Sequence, residues 1–201
     1  MAEITYRLSQ NTKEDFMKKV EFETKLKTFL NPNYQPPTEE TLNEHFRVYN
    51  LTNNTDRFVV FAEIETEVVG YIYIENFYIF GKENVDNTFA NINDIFVLPS
   101  HRTGMVALNL LHYAIDILNE KGINKGIMNV QTHNKFRFLH YAICDEVIAT
   151  EHYTRSNGEP GCTKTLAIHD LKALRNKPLK EIMQAKRYHQ KNFEEKGIER
   201  G

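Results

Sequence analysis

The chain has 201 residues, of which 41% are apolar and 26% charged, enough for a folded domain with its own core rather than a disordered segment. A formal net charge of −2 gives no global basic field for nucleic acid. No apolar run reaches the length of a membrane span, the longest being roughly Val68 to Ile74. The first residues lack a signal peptide's apolar stretch, and two cysteines, Cys144 and Cys162, make no disulfide framework, so the expected compartment is the cytoplasm. The eight histidines are scattered, with no i, i+4 pair on a helix, and no metal site is expected.

Ile4 to Leu8 alternates apolar and polar and reads as a strand. Asn11 and Thr12 offer caps for a helix running to about Leu30, with Phe16, Val20, Leu26 and Phe29 among its apolar positions. The Pro-rich stretch from Asn31 to Pro37 stops it, and Thr38 caps a second helix. Arg57–Ile64 and Val68–Phe80 flank Glu65-Thr66-Glu67 and predict a hairpin. A third strand, Asn87–Leu98, ends at Pro99. A turn, His101 to Gly104, then leads into a helix ending near Lys121-Gly122. Val106, Leu110, Leu111, Ala114, Ile117 and Leu118 give this helix an apolar face, and Gly122 suits its C-terminal cap.

Further on, Gly126–Gln131 predicts a strand, Asn134–Tyr141 a short helix, and Glu146–Tyr153 and Cys162–Ile168 two strands joined by Ser156–Gly161. The order predicts a mixed α/β layered domain over residues 1–168. Residues 169–201 form a separate tail. From Asp170 on, nine Lys/Arg stand against five Asp/Glu, and Pro178 can open a helix at Leu179. Such a tail is either a solvated helix packed on the body or an arm for a partner or a homodimer, with nucleic-acid contact the weaker reading.

The chemistry concentrates where the third strand meets the long helix. A strand, a tight turn with Gly104, and a helix start leave backbone N–H groups facing outward, and these with the helix dipole can hold a pyrophosphate. Arg102 adds charge, and Thr103 and Gly104 are small enough for close approach.

Asp94-Ile95-Phe96-Val97-Leu98-Pro99, followed by Arg102, Ala107 and the pair Leu110-Leu111, resembles the acetyl-CoA signature of the GNAT superfamily of acetyltransferases. Met105 stands where that signature normally has glycine, a departure that is harmless if its side chain turns into the core. Asn134 and Tyr141 are similar to the family's downstream Asn and Tyr, and Val69-Gly70-Tyr71-Ile72 to its preceding strand. An Asn-, Lys- and Ile-rich vocabulary resembles that of bacteriophage members.

The resemblance implies a central, mostly antiparallel mixed sheet with helices on both faces. It implies acetyl-CoA as co-substrate, held by Ile95, Phe96, Val97, Arg102, Thr103, Gly104, Met105, Val106, Ala107 and Asn134. Strand Asn93–Leu98 would splay from its neighbour so that its backbone pairs with the pantetheine arm. Tyr141 would protonate the departing thiolate. The acceptor would be the amine of a small molecule or a protein, lined by the two N-terminal helices and Phe77 to Phe89. Where some members carry a glutamate base, this chain has Asn91 and Asn129, leaving Asp94, His133 or a water chain to take the proton. The alternative is a GNAT-fold module that binds coenzyme A or a partner without catalysis. His140 and Cys144 flank Tyr141 but lack a third orienting group, so a Cys–His nucleophile is not expected.

Overall fold

The computed structural model describes residues 3–10, 12–52, 57–78, 88–102, 105–132, 134 and 137–196. Strand β1 (Ile4–Leu8) lies antiparallel to β2 (Arg57–Ile64), in register from Ile4↔Ile64 to Leu8↔Val60. β2 returns as β3 (Glu67–Tyr78). The connecting turn has two residues rather than three, since Glu67 already pairs with Ile64. Glu65 adopts φ 56°, the left-handed conformation that so tight a hairpin demands. β4 (Thr88–Val97) runs parallel to β5 (Lys125–Gln131), β5 antiparallel to β7 (Pro160–Ile168), and β7 antiparallel to β6 (Glu146–Thr154). The hydrogen-bonded order is β1-β2-β3-β4-β5-β7-β6, a seven-stranded, mostly antiparallel mixed sheet as expected.

Helix α1 (Lys13–Leu30) is capped by Thr12, whose hydroxyl accepts from the Asp15 N–H at 3.2 Å. α2 (Glu39–Thr52) is capped likewise by Thr38, which accepts from the Thr41 N–H at 3.3 Å. α3 (Met105–Glu120) ends as Gly122 implies: φ is 75°, and the N–H groups of Gly122 and Ile123 close on the carbonyls of Asn119 and Leu118 at 3.0 and 2.9 Å. α4 (Arg137–Ile143) starts and ends later than the sequence suggests. α5 (Leu171–Asn176) was not foreseen, although Asp170 caps it through the Ala173 N–H at 2.8 Å; six residues are too few to show a helical period. α6 (Leu179–Lys196) follows Pro178 as expected. Among the described residues no helix is long and apolar enough to cross a membrane.

The chain forms two compact units. One comprises Met1–Asn76 with Asn93–Ile117, the other Phe77–Ile92 with Leu118–Gly201. In the first, Phe22 and Leu26 of α1 pack with Val59, Phe61, Val68 and Tyr71 of the β2–β3 hairpin. Phe22 and Phe61 are essentially fully buried, worth about 1.5–3 kcal/mol each. The stripe of α1 that turns inward is Asp15/Phe16, Lys19, Phe22/Glu23 and Leu26, while Phe29, the last of the apolar positions noted in the sequence, is 65% exposed. Polar pairing sets this rotation. The Arg7 guanidinium donates to both Asp15 oxygens at 2.6 and 2.9 Å and to both Glu63 oxygens at 2.7 and 2.8 Å. It thus ties β1, the start of α1 and β2 at one point. On the opposite side of the hairpin Leu110 of α3 reaches Gly70, so helices cover both faces of this unit's sheet.

In the second unit Met128, Leu166, Ile168, Leu171 and Ile182 are almost wholly buried. The Leu171 N–H donates to the Asn124 carbonyl at 2.8 Å. The basic tail is therefore packed into this unit through α5 and α6.

Candidate active site

Gly70 decides how close the signature strand can come. A Cβ there would lie 2.9 Å from the Phe96 carbonyl oxygen and 3.3 Å from Leu110 Cδ1 and Val97 Cγ2. Only a residue without a side chain lets β3, β4 and α3 meet at this point. Immediately beyond, the Leu98 N–H donates to the Val69 carbonyl at 2.9 Å. Pro99 then opens a single 3₁₀ turn, Pro99–His101, closed by the His101 N–H on the Leu98 carbonyl at 2.9 Å. The exposed Arg102 folds back, its Nε donating to the Val97 carbonyl at 2.8 Å. Its side chain braces the strand-to-helix turn and keeps positive charge there.

α3 begins at Met105, and no carboxylate of its own first turn offsets the positive end of its dipole. Val106 is buried, Ala107 half-buried and Leu110 and Leu111 fully buried, which seats the helix as the motif requires. Ile117 is only half-buried; Ile115 takes the buried position instead. Met105 is 41% exposed, so its side chain is not turned into the core: the condition under which this departure from the signature would be harmless is not met, and the side chain stands exposed at the start of α3. Thr103 and Gly104 lie outside the described residues.

Strand alternation places Asp94 and Phe96 on the other face. The Phe96 ring meets Tyr71 edge-on at 5.4 Å, and Tyr71 meets Phe22 at 5.3 Å. Tyr71, 2% exposed, donates its hydroxyl to Glu23 Oε1 at 3.0 Å. Lys19 pairs with Glu23 and holds its ammonium 5.0 Å from the centre of the Tyr71 ring. Burial would raise the Glu23 carboxyl, but Lys19, the Tyr71 hydroxyl and Lys27 outweigh it and hold the group below the usual range. Two residues along β3, Tyr73 donates to Glu75 Oε1 at 2.6 Å, and Arg57 Nε lies 3.7 Å from the same oxygen.

Asp94 is half-buried in this company. Burial raises its carboxyl above the ordinary value; Lys19 opposes this, while the negative charges of Glu23 and Glu75 add to it. The result is a carboxylate readier than usual to accept a proton, on the strand that carries the signature. Sequence reading found Asp94 but missed Lys19, Glu23, Tyr73 and Glu75. The signal available was the alternation of Tyr71, Tyr73 and Glu75 along one face of β3 and the i, i+4 spacing of Lys19 and Glu23.

The remaining candidates belong to the second unit. The β4–β5 register runs from Phe89↔Lys125 to Ile92↔Met128. Asn91 is buried, and the Asn129 side chain accepts from the Thr165 hydroxyl at 2.8 Å. Asn134 is exposed, and its carbonyl accepts the Arg137 N–H at 3.1 Å at the entry to α4. Tyr141 is half-buried in α4. Its ring centre is 6.0 Å from that of His189 in α6, and the Lys164 ammonium of β7 is 5.7 Å away. The Cys144 thiol is pushed up to about 12 by burial and by Asp145, which suits an inert side chain rather than a nucleophile. His133 and residues 79–87 of the expected acceptor lining lie outside the described residues.

Three solved structures illustrate the likeness. An acetyltransferase of the GNAT family from Streptococcus pneumoniae superposes with TM-score 0.61 at 15% identity, covering 83% of this chain and 99% of that one. The ribosomal-protein-S18-alanine N-acetyltransferase of Escherichia coli gives 0.58 at 12%, covering 83% and 93%. A chain of the NatC complex, bound to Gag peptide and CoA, gives 0.55 at 15%, covering 83% and 98%. At these identities the likeness shows the fold. No curated protein matches at the sequence level. The family model described as Acetyltransferase (GNAT) family matches residues 22–138, more than half of the chain. With the fold and the signature segment agreeing with that match, the chain belongs to the GNAT family of acetyltransferases.

Proposed function

We propose that the chain transfers an acetyl group directly from acetyl-CoA to a primary amine. The observation that carries this is the signature segment itself. A strand clasped by Arg102 and cleared by Gly70 delivers a helix start without acidic residues, and carries the half-buried Asp94 on its other face. The start of α3 and Arg102 suit the pyrophosphate. The end of the β4–β5 register at Ile92↔Met128 supports a strand whose later residues, Ile95 to Val97, pair with the pantetheine arm. The Phe96 N–H would then polarise the thioester carbonyl. The NatC chain, solved with CoA and a peptide, shares this fold and favours an amine acceptor of that general kind.

In the reaction, Asp94 takes a proton from the acceptor's ammonium, directly or through water. The freed nitrogen attacks the thioester carbon, the C–S bond breaks, and the thiolate takes a proton from Tyr141; the second proton, shed by the nitrogen as it becomes an amide, passes through water to the Tyr141 phenolate, and Asp94 returns its own to solvent. Removal of charge from the amine and supply of a proton to sulfur are thus assigned to different side chains.

The test is thermal denaturation with acetyl-CoA against ATP at equal concentration. Next comes thiol release from acetyl-CoA with a panel of primary amines: a short peptide with a free N-terminus, an N-acetyl-lysine with a free side-chain amine, and spermidine. Ligand at about 100 times its Kd adds about 2.7 kcal/mol, roughly 5–10 °C for a chain of this size. No shift with millimolar acetyl-CoA overturns the cofactor assignment. A shift without turnover on any amine leaves a binding module.

A further inference from the structure

The tail helix α6 is amphipathic in a particular way. Ile182 is fully buried; Ala185, Lys186, His189 and Asn192 are half-buried; Gln184, Arg187, Tyr188 and Lys191 are exposed. The spacing i, i+3/i+4, i+7 marks one stripe turned toward the body of the second unit. Ile182 anchors that stripe, and His189, two turns on, is carried to the Tyr141 ring of α4 with centres 6.0 Å apart and planes tilted 56°. Tyr188 backs the imidazole edge-on at 5.7 Å. From β7 the Lys164 ammonium lies 5.7 Å from the centre of the same Tyr141 ring. Burial lowers the His189 imidazole below its ordinary value, so a neutral ring faces the phenol while Lys164 supplies the charge. None of these three residues falls within the span matched by the family model, 22–138.

We propose that α6 is part of the catalytic unit, with His189 and Lys164 bracketing Tyr141 so that its phenol keeps one orientation. His189 is a positioning residue, acting only through Tyr141. This rests on the reading of Tyr141 as proton donor to the thiolate. A phenol on a seven-residue helix has two torsions to fix, and flanking contacts supply that restraint from outside the helix.

Two readouts test it on the full chain. In ¹⁹F NMR of protein labelled with 3-fluorotyrosine, the Tyr141 signal is identified by its loss in Tyr141→Phe. It is expected to move or broaden in His189→Ala and to return toward the wild-type position in His189→Phe, which keeps a ring. An unchanged signal in His189→Ala overturns the bracket without touching the chemistry proposed for Tyr141.

The second is a double-mutant cycle using acetyl-CoA and the fastest amine of the panel. His189→Ala is expected to lower kcat about 3–10-fold in the wild-type background, with KM for acetyl-CoA within about twofold, and to change nothing once Tyr141 is phenylalanine. Equal losses in both backgrounds overturn the positioning role while leaving the donor. Undiminished kcat in Tyr141→Phe overturns the donor reading, and the catalytic part of this inference with it.

Discussion

Arg7→Met removes a cation from between two carboxylates that the fold keeps dry. The Asp15 and Glu63 side chains are each 6% exposed, and four hydrogen bonds of 2.6–2.9 Å from one guanidinium satisfy them. Breaking a buried pair by deleting one partner costs about 3–5 kcal/mol, because the other charge is left uncompensated. Two effects hold the loss near the lower figure. The Gln10 N–H still reaches Asp15 at 2.6 Å, and the Lys18 ammonium still reaches Glu63 at 3.4 Å. A loss of about 3 kcal/mol lowers Tm by about 6–12 °C in a domain of this size. The assay is thermal denaturation by circular dichroism at pH 7, repeated toward pH 4. Burial alone would raise the Asp15 carboxyl, yet the Arg7 and Gln10 hydrogen bonds hold it below its ordinary value. Its contribution is therefore present above the ordinary carboxylate pKa and is lost as pH falls through the lower folded one. In Arg7→Met the share of that contribution owed to Arg7 is already gone, so the gap between the two proteins narrows on acidification. A Tm drop under about 2 °C at pH 7, or a gap that widens in acid, refutes the reasoning.

Other expectations follow from the same geometry. Gly70→Ala puts a Cβ 2.9 Å from the Phe96 carbonyl oxygen and should cost about 1–3 kcal/mol; it should also shrink the acetyl-CoA-induced Tm shift, and a stable variant with the full shift contradicts the packing argument. Asp94→Asn should cut kcat at least about 100-fold. It should also raise Tm slightly at neutral pH: a carboxyl raised by burial favours the fold only while protonated, and its charged form is penalised as pH rises. A lower Tm at pH 7 would count against that assignment. Cys144, with its thiol pushed up to about 12, should react with iodoacetamide at pH 8 far more slowly in the native chain than after denaturation, as followed by mass spectrometry.

What was legible in the sequence was what local chemistry decides. Thr12, Thr38, Gly122 and Pro178 each mark a helix boundary by capping or by a fixed backbone angle, and each stands where those rules put it. The signature was legible because a strand, a proline turn and an amphipathic helix all fall within some 30 residues of chain. The company around Asp94 was not, because it depends on how α1 is rotated over the β2–β3 hairpin. α1 carries charged residues on every side, and its apolar pattern is compatible with burying Phe29. The Arg7–Asp15–Glu63 contacts, made between residues as many as 56 apart, turn Lys19 and Glu23 inward instead. The role of His189 was hidden for the same reason: an isolated histidine in a basic helix acquires meaning only when Ile182 has set which side faces in.

The two faces of one short stretch divide the labour. On the α3 side, Gly70, Val97 and Leu110 bring the strand and helix as close as backbone atoms allow, which suits a fixed site for a phosphate-bearing donor. On the α1 side, Tyr71 and Phe96 close the core, and beyond them Asp94, Tyr73 and Glu75 form its polar continuation, bounded by Lys19 and Glu23. A base that must discharge an ammonium works best when its own charged form is penalised, yet a nearby cation keeps it from being protonated permanently. Burial with Glu23 and Glu75 provides the first condition and Lys19 the second. In the proposed reaction the α1 residues act through Asp94's charge state. Replacing Lys19 by methionine should raise the Asp94 carboxyl further and move the acid limb of the pH–rate profile upward. An acid limb that stays in place would remove Asp94 from the reaction.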